Sequence, residues 1–299
     1  MNIIQEALRE VALVPVEPKV VKTYTRPYHH LKLAGSLYRE LSQWLGLMAN
    51  VYTHPNATWD LSQAVFGGLL VRQFKLSCHL IDQVVAQQGE LFWVTIRLLA
   101  EGVINLRYLL LDPSSEVIHS YVTYLLYHER DLKEEIDANI GARDGEILAI
   151  ERRMLRSIDA AFTNSLVNPA TLARRRPKDW TDKSLYQRAK ALGLEGAYRA
   201  MIGGPSRNVH GNWYDLLQHH LEVVTPGQFQ PRLTQGRPAP KVLHAIAHLT
   251  VPAITGYLKF LATGDTVTLT ERLEKLDARI RLASQLHEEF LQRRSASVA

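Results

Sequence analysis

Residues 92–107 read Phe92-Trp93-Val94-Thr95-Ile96-Arg97-Leu98-Leu99-Ala100-Glu101-Gly102-Val103-Ile104-Asn105-Leu106-Arg107. Arg97, Glu101 and Asn105 lie four residues apart, a spacing that places their side chains on one face of an α-helix. The other faces would be largely apolar, which predicts a central helix with one narrow polar stripe. Two arrangements stay open: a solvated stripe with a surface ion pair between Arg97 and Glu101, or a buried stripe whose charges have partners.

Helical periodicity continues on both sides of this stretch. We expect a single all-α domain of about nine or ten helices with a helical bundle core, since no segment alternates with a period of two for long enough to form a sheet core. The predicted helices include one from about Asn56 to residue 87 and one from Ser206 to about residue 224. We divide the chain into a peripheral segment with a short helix (1–25), a helical domain (26–264), and a C-terminal amphipathic helix and tail (265–299).

The composition is that of an ordinary globular protein, with 46% hydrophobic and 22% charged residues. The most apolar segment, residues 91–111, is interrupted by four polar side chains, which argues against a membrane span. The single cysteine, Cys78, lies in an apolar run and excludes an intramolecular disulfide, so we expect a buried, inert thiol. No secretory signal pattern is visible, and a cytoplasmic location is the expectation.

The positive charge is concentrated in one window. The formal net charge is +5, and residues 170–190 alone carry seven basic and two acidic side chains, again +5. Its densest part consists of Arg174, Arg175, Arg176 and Lys178. Such a basic run either attracts a phosphate backbone or is simply a solvated loop.

Residues 206–213 form the densest polar stretch of the chain, Ser206-Arg207-Asn208-Val209-His210-Gly211-Asn212-Trp213. Ser206 is expected to cap the N-terminus of a helix, which accounts for its hydroxyl but not for the polar residues that follow it. The free backbone N–H groups of a helix start, with Arg207 and His210 nearby, would suit an anion such as phosphate. His210 could also exchange protons near neutral pH.

Two further patterns have alternative interpretations. The C-terminal helix carries a narrow apolar seam that would pack either on its own domain or on a homodimer or helical partner: Leu273, Leu276, Ile280, Ala283, His287 and Phe290. His244 and His248 lie four apart, but no third ligand is evident, so no metal is predicted. The sequence also lacks a P-loop, a dinucleotide fingerprint and a Gly-x-Ser-x-Gly motif, which argues against the common NTPases, Rossmann enzymes and hydrolases.

The motifs Arg97-x-x-x-Glu101 and Ser206-x-x-x-His210-Gly211-x-Trp213 resemble those of a bacterial, uncharacterised helical family, numbered five-six-seven-seven among domains of unknown function. The resemblance covers roughly residues 30–260. That family is similar to the HEPN superfamily, many of whose members are metal-independent ribonucleases in toxin–antitoxin and phage-defence systems, often as dimers. The HEPN signature places a histidine four to six residues after an arginine, whereas here His210 follows Arg207 by three.

The resemblance implies an RNA-binding protein with ribonuclease chemistry and no metal or cofactor. His210 would act as general base or acid at a ribose 2′-hydroxyl, Arg207 would stabilise charge on the phosphate, and Asn208 would orient one of them. Glu101 and Arg97 would support the site from the neighbouring helix. The remaining RNA contacts would come from Ser206, Asn212, Trp213, Arg174, Arg175, Arg176 and Lys178.

The alternative is a non-catalytic binding or regulatory module. In that case Arg97, Glu101, Arg207 and His210 would form a buried polar network that fixes the packing of helices. The two hypotheses differ in exposure, because a catalytic histidine must open to a cleft, whereas a structural one is enclosed by its partners.

Overall fold

The structure is a computed structural model that describes residues 11–50, 58–261 and 266–296. It confirms the all-α prediction. The helices are α1 Pro18–Val21, α2 Pro27–Asn50, α3 Leu61–Val85, α4 Gly89–Leu109, α5 Ser115–Gly141, α6 Ala149–Asn164, α7 Leu185–Ala191, α8 Glu195–Tyr198, α9 Ser206–His210, α10 Pro240–Leu261 and α11 Thr266–Ala296. A small hairpin of β1 Leu221–Thr225 and β2 Gln228–Pro231 lies between α9 and α10.

Helix α4 lies at the centre of the fold, as its sequence predicts. It packs against α3, α7, α9 and α10, and most of its apolar positions are buried, whereas Leu91 and Leu98 are exposed. Gly102 permits the close approach of α3, because a Cβ atom there would lie 1.9 Å from Nε2 of the buried Gln73. The polar stripe is neither fully solvated nor fully enclosed, since Arg97, Glu101 and Asn105 are each half-buried.

Helix α3 begins later than the sequence suggests. Asp60 accepts a 2.8 Å hydrogen bond from the backbone N–H of Gln63, and the Gln63 side chain accepts a 3.1 Å bond from the N–H of Asp60. This reciprocal capping box fixes the start of the helix at Leu61, so the predicted start near Asn56 is wrong. Residue 56 itself lies outside the described residues, as do residues 1–10 of the N-terminal segment in which a short helix is expected.

Helices α5 and α6 form a hairpin with a small core of its own. That core is separate from the main one and consists of Leu126, Ile136, Ile158, Phe162 and Val167. The connection from residue 165 to residue 184, which contains the basic run, returns along α5 to the main body. Trp180 anchors it there, with its ring edge-on to Tyr108 and Tyr121 at centroid distances of 5.8 and 5.3 Å.

The predicted helix over residues 206–224 is wrong. Helix α9 ends at His210 because Gly211 adopts a left-handed conformation with φ of 54°. A helical turn over Trp213–Asp215 and a π-helical turn over Leu216–His220 follow, and the chain then enters the antiparallel hairpin, in which Val223 is opposite Phe229. The β-branched run before the turn at Gly227 favours extended backbone over helix.

The apolar seam of α11 packs within its own chain. Its residues contact α10 and α2, and Leu273, Leu276 and Ile280 belong to the main core at no more than 1% exposure. Arg279 adds a buried ion pair by donating two hydrogen bonds to Glu40 of α2 at 2.7 and 2.6 Å. Of the two alternatives for the seam, packing on its own domain is therefore the one observed. No helix in the described part of the chain has the length and apolarity needed to cross a membrane.

Candidate functional site

The polar stretch at residues 206–213 lies in a segment that packs over α4 between two π-helical turns. The first, Arg199–Gly203, closes with a 3.0 Å hydrogen bond from the Gly204 N–H to the carbonyl of Arg199. The second is Leu216–His220. π-Turns change the register of side chains along a helix and occur often at functional sites.

Ser206 does not cap a helix, which corrects the sequence prediction. Gly204 and Pro205 keep helical backbone angles, so the chain passes from the first π-turn into α9 without the break that a cap needs. The Ser206 hydroxyl instead donates a 2.5 Å hydrogen bond back to the carbonyl of Ile202. The anion site predicted at a free helix start is therefore absent, because α9 has five residues and continues a preceding helical turn.

A cavity of about 200 Å³ opens between α4, α9 and the turn that follows α9. Arg207 stands at this cavity with its guanidinium carbon 4.6 Å from the centroid of the Tyr214 ring, a cation–π contact. Both side chains are exposed. The groups of the lining that can stack or hydrogen-bond are Trp93, Arg207, Asn208, Tyr214, Asp215 and Gln218.

Asp215 is the buried acid of this cavity, with 5% exposure. Its Oδ1 accepts a 2.7 Å hydrogen bond from Asn208 Nδ2, and its Oδ2 lies 3.4 Å from Nε2 of His220. Asn212 fixes the backbone here, because its Oδ1 accepts a 3.1 Å bond from the N–H of Asp215. A half-exposed histidine against a buried carboxylate is an arrangement that supports proton transfer.

Two exposed aromatic rings extend this surface toward the hairpin. Trp213 is 56% exposed and meets the ring of Phe229 on β2 edge-on, at a centroid distance of 5.4 Å. Tyr214 contacts Arg207, Trp213 precedes Tyr214 in the chain, and Phe229 packs on Trp213, although neither Trp213 nor Phe229 lines the cavity itself. We call Arg207, Trp213, Tyr214 and Phe229 the aromatic rim of the cavity.

The structure does not bring together all of the residues predicted for the site. His210 is exposed at the end of α9 and does not line the cavity, and neither do Arg97 and Glu101 of α4. Within residues 11–50, 58–261 and 266–296, no ion pair joins Arg97 to Glu101. The charge of Glu101 instead acts on Tyr121 of α5. Burial raises the pKa of Tyr121, and the negative charge of Glu101 adds to that rise.

The predicted buried network of Arg97, Glu101, Arg207 and His210 is consequently wrong. Arg207 and His210 are exposed, so they are not enclosed by structural partners. The reason is geometric: Glu101 acts on Tyr121 of α5, whereas α9 presents its basic side chains to solvent.

The basic run lies on a different part of the molecule, along α5. Arg174, Arg175, Arg176 and Lys178 are exposed, and the Arg176 guanidinium lies 5.0 Å from the Tyr124 ring. The Tyr124 hydroxyl holds the loop by donating a 3.2 Å hydrogen bond to the carbonyl of Lys178. This run does not line the cavity described above.

Sequence reasoning missed Trp93, Tyr214, Asp215 and His220. Asp215 and His220 lie five residues apart, which places them on different faces of an α-helix but brings them together across a π-turn. One local signal was available: Asn212 followed by Asp215 three residues later is a pattern typical of a helix start, which places a break inside the helix that we predicted.

The fold and this site define an all-α protein with an aromatic-rimmed polar cavity built on its central helix. A model of a family of unknown function, DUF5677, matches residues 63–228. Because the match covers more than half of the 299 residues, the chain belongs to this family. The matched range includes α4 and the whole cavity lining. Neither a curated protein nor a solved structure matches the chain.

Proposed function

We propose that this protein binds single-stranded RNA at the aromatic rim and cleaves it without a metal ion. The observation that carries the proposal is the Arg207 guanidinium stacked on Tyr214 at the mouth of the cavity, next to the exposed Trp213. The HEPN-like resemblance of the sequence supports the same substrate class, and it also implies a role as a toxin or in phage defence.

The rim has the chemistry that single-stranded nucleic acid requires. Aromatic faces stack on unpaired bases, and an arginine beside them binds the phosphate between two bases. Trp213, Tyr214 and Phe229 provide the faces, and Arg207 provides the charge. The basic run along α5 would add long-range attraction for the backbone.

The cavity suits one nucleobase. At about 200 Å³ it is smaller than the pockets that hold drug-sized ligands, which start at roughly 300 Å³. Trp93 and Tyr214 offer stacking surfaces, and Asn208, Asp215 and Gln218 offer donors and acceptors for a base edge. An unstacked base held there would fix the position of the adjoining phosphate near Arg207.

The proposed cleavage uses the ribose itself as nucleophile. His220, oriented by Asp215, takes the proton of the 2′-hydroxyl, and the 2′-oxygen forms a bond to the adjacent phosphorus. The bond from phosphorus to the 5′-oxygen breaks, and His210 donates a proton to that leaving oxygen. The products are a 2′,3′-cyclic phosphate and a 5′-hydroxyl, and Arg207 stabilises the charge that develops on the phosphate.

A second candidate function is RNA binding without cleavage. Neither His210 nor His220 lines the cavity, which favours binding alone, because the proposed catalysis requires both histidines within reach of one phosphate. In that case the rim would bind RNA as a regulatory module, and the pair of Asp215 and His220 would serve to hold the turn.

Incubation of purified protein with single-stranded RNA in EDTA separates the two candidates. The ribonuclease proposal predicts 2′,3′-cyclic phosphate ends, and a loss of rate of about 100-fold or more in His220→Ala, consistent with the removal of a general base. His210→Ala should lose a similar factor, whereas His128→Ala, an exposed histidine on α5, should cleave normally. Intact RNA with the wild-type protein across varied sequences contradicts cleavage and leaves binding as the function.

A further inference from the structure

Three histidines outside the candidate site are buried together where α2, α10 and α11 meet. His30, His244 and His287 are 1%, 4% and 5% exposed. The ring centroids of His30 and His287 lie 5.0 Å apart, and those of His244 and His287 lie 6.5 Å apart. Phe290 closes the cluster, with its centroid 4.5 Å from that of His30.

The histidine cluster has almost no hydrogen-bond partners. Four buried ring nitrogens have none in the described part of the chain: His30 Nε2, His244 Nδ1, His244 Nε2 and His287 Nδ1. The described residues also contain no group of three or more His, Cys, Asp or Glu side chains arranged for a metal ion. His248, four residues after His244, points elsewhere and contacts Asp277 at 2.6 Å.

The charges around the cluster oppose protonation. From α11, Arg293 faces His30, and from α10, Lys241 faces His287, where it is paired with Glu288 at 2.8 Å. The other neighbours are His29 on α2, Tyr24 after α1, the exposed pair of Lys22 and Glu289, and Arg294, whose guanidinium carbon lies 5.7 Å from the centroid of the Phe290 ring. Among the described residues, Glu288 favours a charged His287, and Lys241, which is paired with Glu288, opposes it.

We propose that this cluster is a proton-sensitive latch, which keeps the C-terminal half of α11 docked while its histidines are neutral and releases it on acidification. A proton on His30 or His244 would place a buried charge beside other imidazoles, with no carboxylate acting on it in the described part of the chain. The first half of α11 has independent anchors in its core leucines and in the Arg279–Glu40 pair. Release is therefore confined to residues after about 284.

The sign of the effect follows from the pKa shifts. Burial, with His287 and Arg293 next in importance, lowers the pKa of His30 from 6.5 to about 4. Burial, with the other two histidines, lowers the pKa of His244 from 6.5 to about 4. The docked state thus binds fewer protons than the released state, so docking is fully favoured above pH 6.5 and weakens as the pH falls from 6.5 toward 4. At pH 5 each of these two histidines raises the release equilibrium by about 30-fold relative to pH 8.

Hydrogen exchange followed by mass spectrometry tests the latch on the full chain. After correction for the intrinsic pH dependence of exchange, the opening equilibrium of residues 284–296 should rise at least about 30-fold from pH 8 to pH 5, with a much smaller change in residues 267–280. His30→Phe with His244→Phe should reduce this pH dependence to the share that the buried His287 contributes, and the control His128→Gln should keep all of it. An equal rise in both segments, or an unchanged rise in the double variant, overturns the proposal.

A measurement on the wild-type protein covers the case in which the double variant does not fold. Titration of the histidine ring C–H signals by NMR reports each pKa directly. Values below about 5 for His30 and His244 support the latch, and values near 6.5 overturn it.

Discussion

Asn208 Nδ2 donates a 2.7 Å hydrogen bond to Asp215 Oδ1, which joins α9 to the turn that follows it. The bond spans Gly211, whose left-handed backbone ends α9. It links two residues that line the cavity, Asn208 and Asp215, and the carboxylate of Asp215 also lies 3.4 Å from the imidazole of His220. The geometry of the candidate site therefore depends on Asp215, a residue that the sequence analysis does not identify.

Asp215→Ala is expected to destabilise the fold by about 1–3 kcal/mol, because it leaves the Asn208 amide without its acceptor. Asp215→Asn keeps an acceptor oxygen and should cost less, although it removes the charge beside His220. Urea unfolding measures both free energies. The exposed Asp137→Ala on α5 serves as the control, with a change within about 0.5 kcal/mol. Equal stability of Asp215→Ala and Asp137→Ala would show that this bond contributes nothing.

Gly89→Ala is expected to destabilise the protein by about 1–3 kcal/mol through a backbone clash. A Cβ atom at residue 89 would lie 2.5 Å from the carbonyl carbon and oxygen of Gly236, whose oxygen accepts a 3.0 Å bond from the Gly89 N–H. Gly68→Ala in α3 is the matched control. Its Cβ atom meets nothing within 4 Å, so the better helix propensity of alanine should stabilise the fold by up to about 1 kcal/mol. Thermal melting gives the Tm of both variants. Changes in Tm of the same sign for Gly89→Ala and Gly68→Ala would contradict this packing.

Arg279→Ala should cost about 3–5 kcal/mol, because it leaves the carboxylate of Glu40 buried and unpaired. Glu40 has 3% side-chain exposure and otherwise accepts only a 2.9 Å bond from the Val14 N–H in the described part of the chain. Lys133→Ala breaks an exposed pair with Asp159 of similar length, 2.9 Å, and should cost less than about 1 kcal/mol. Denaturant unfolding measures the free energy of unfolding of both variants. Equal losses for Arg279→Ala and Lys133→Ala would contradict an important contribution of the buried pair of Arg279 and Glu40.

Helical periodicity was sufficient to predict the fold class and most helices. The narrow polar stripe of α4 predicted its central position. The helical spacing of apolar residues in α11 likewise predicted the seam along which that helix packs. The hairpin at residues 221–231 was not predicted because its strands have four or five residues and are largely exposed, so no apolar alternation marks them. The predicted start of α3 near Asn56 is wrong because Asp60 and Gln63 form a reciprocal cap four residues later. Both Asn56 and Asp60 are residue types that cap helices, and a single sequence does not show which of them does so.

The candidate site was predicted only in part. The stretch from residue 206 to residue 213 does supply Arg207 and Asn208 to the cavity. A continuous helix was assumed there, however, and two π-turns and a left-handed glycine change which side chains meet. Asp215 and His220 become neighbours only through that irregular backbone, and Arg97 and Glu101 lie outside the cavity lining. Local irregularity of this kind depends on tertiary packing and carries almost no signature in a single sequence.

The most direct test of the account is the affinity of the protein for a fluorescent single-stranded RNA, measured by anisotropy in EDTA at one fixed salt concentration. Loss of a stacking base contact costs about 1–3 kcal/mol, so Trp213→Ala should weaken binding by about 5-fold to 150-fold. Arg207→Ala should weaken it and also reduce the dependence on salt. Arg153→Ala, an exposed arginine on α6, should bind as the wild type does. Wild-type affinity in both rim variants, or no RNA binding by the wild-type protein at all, would contradict the account.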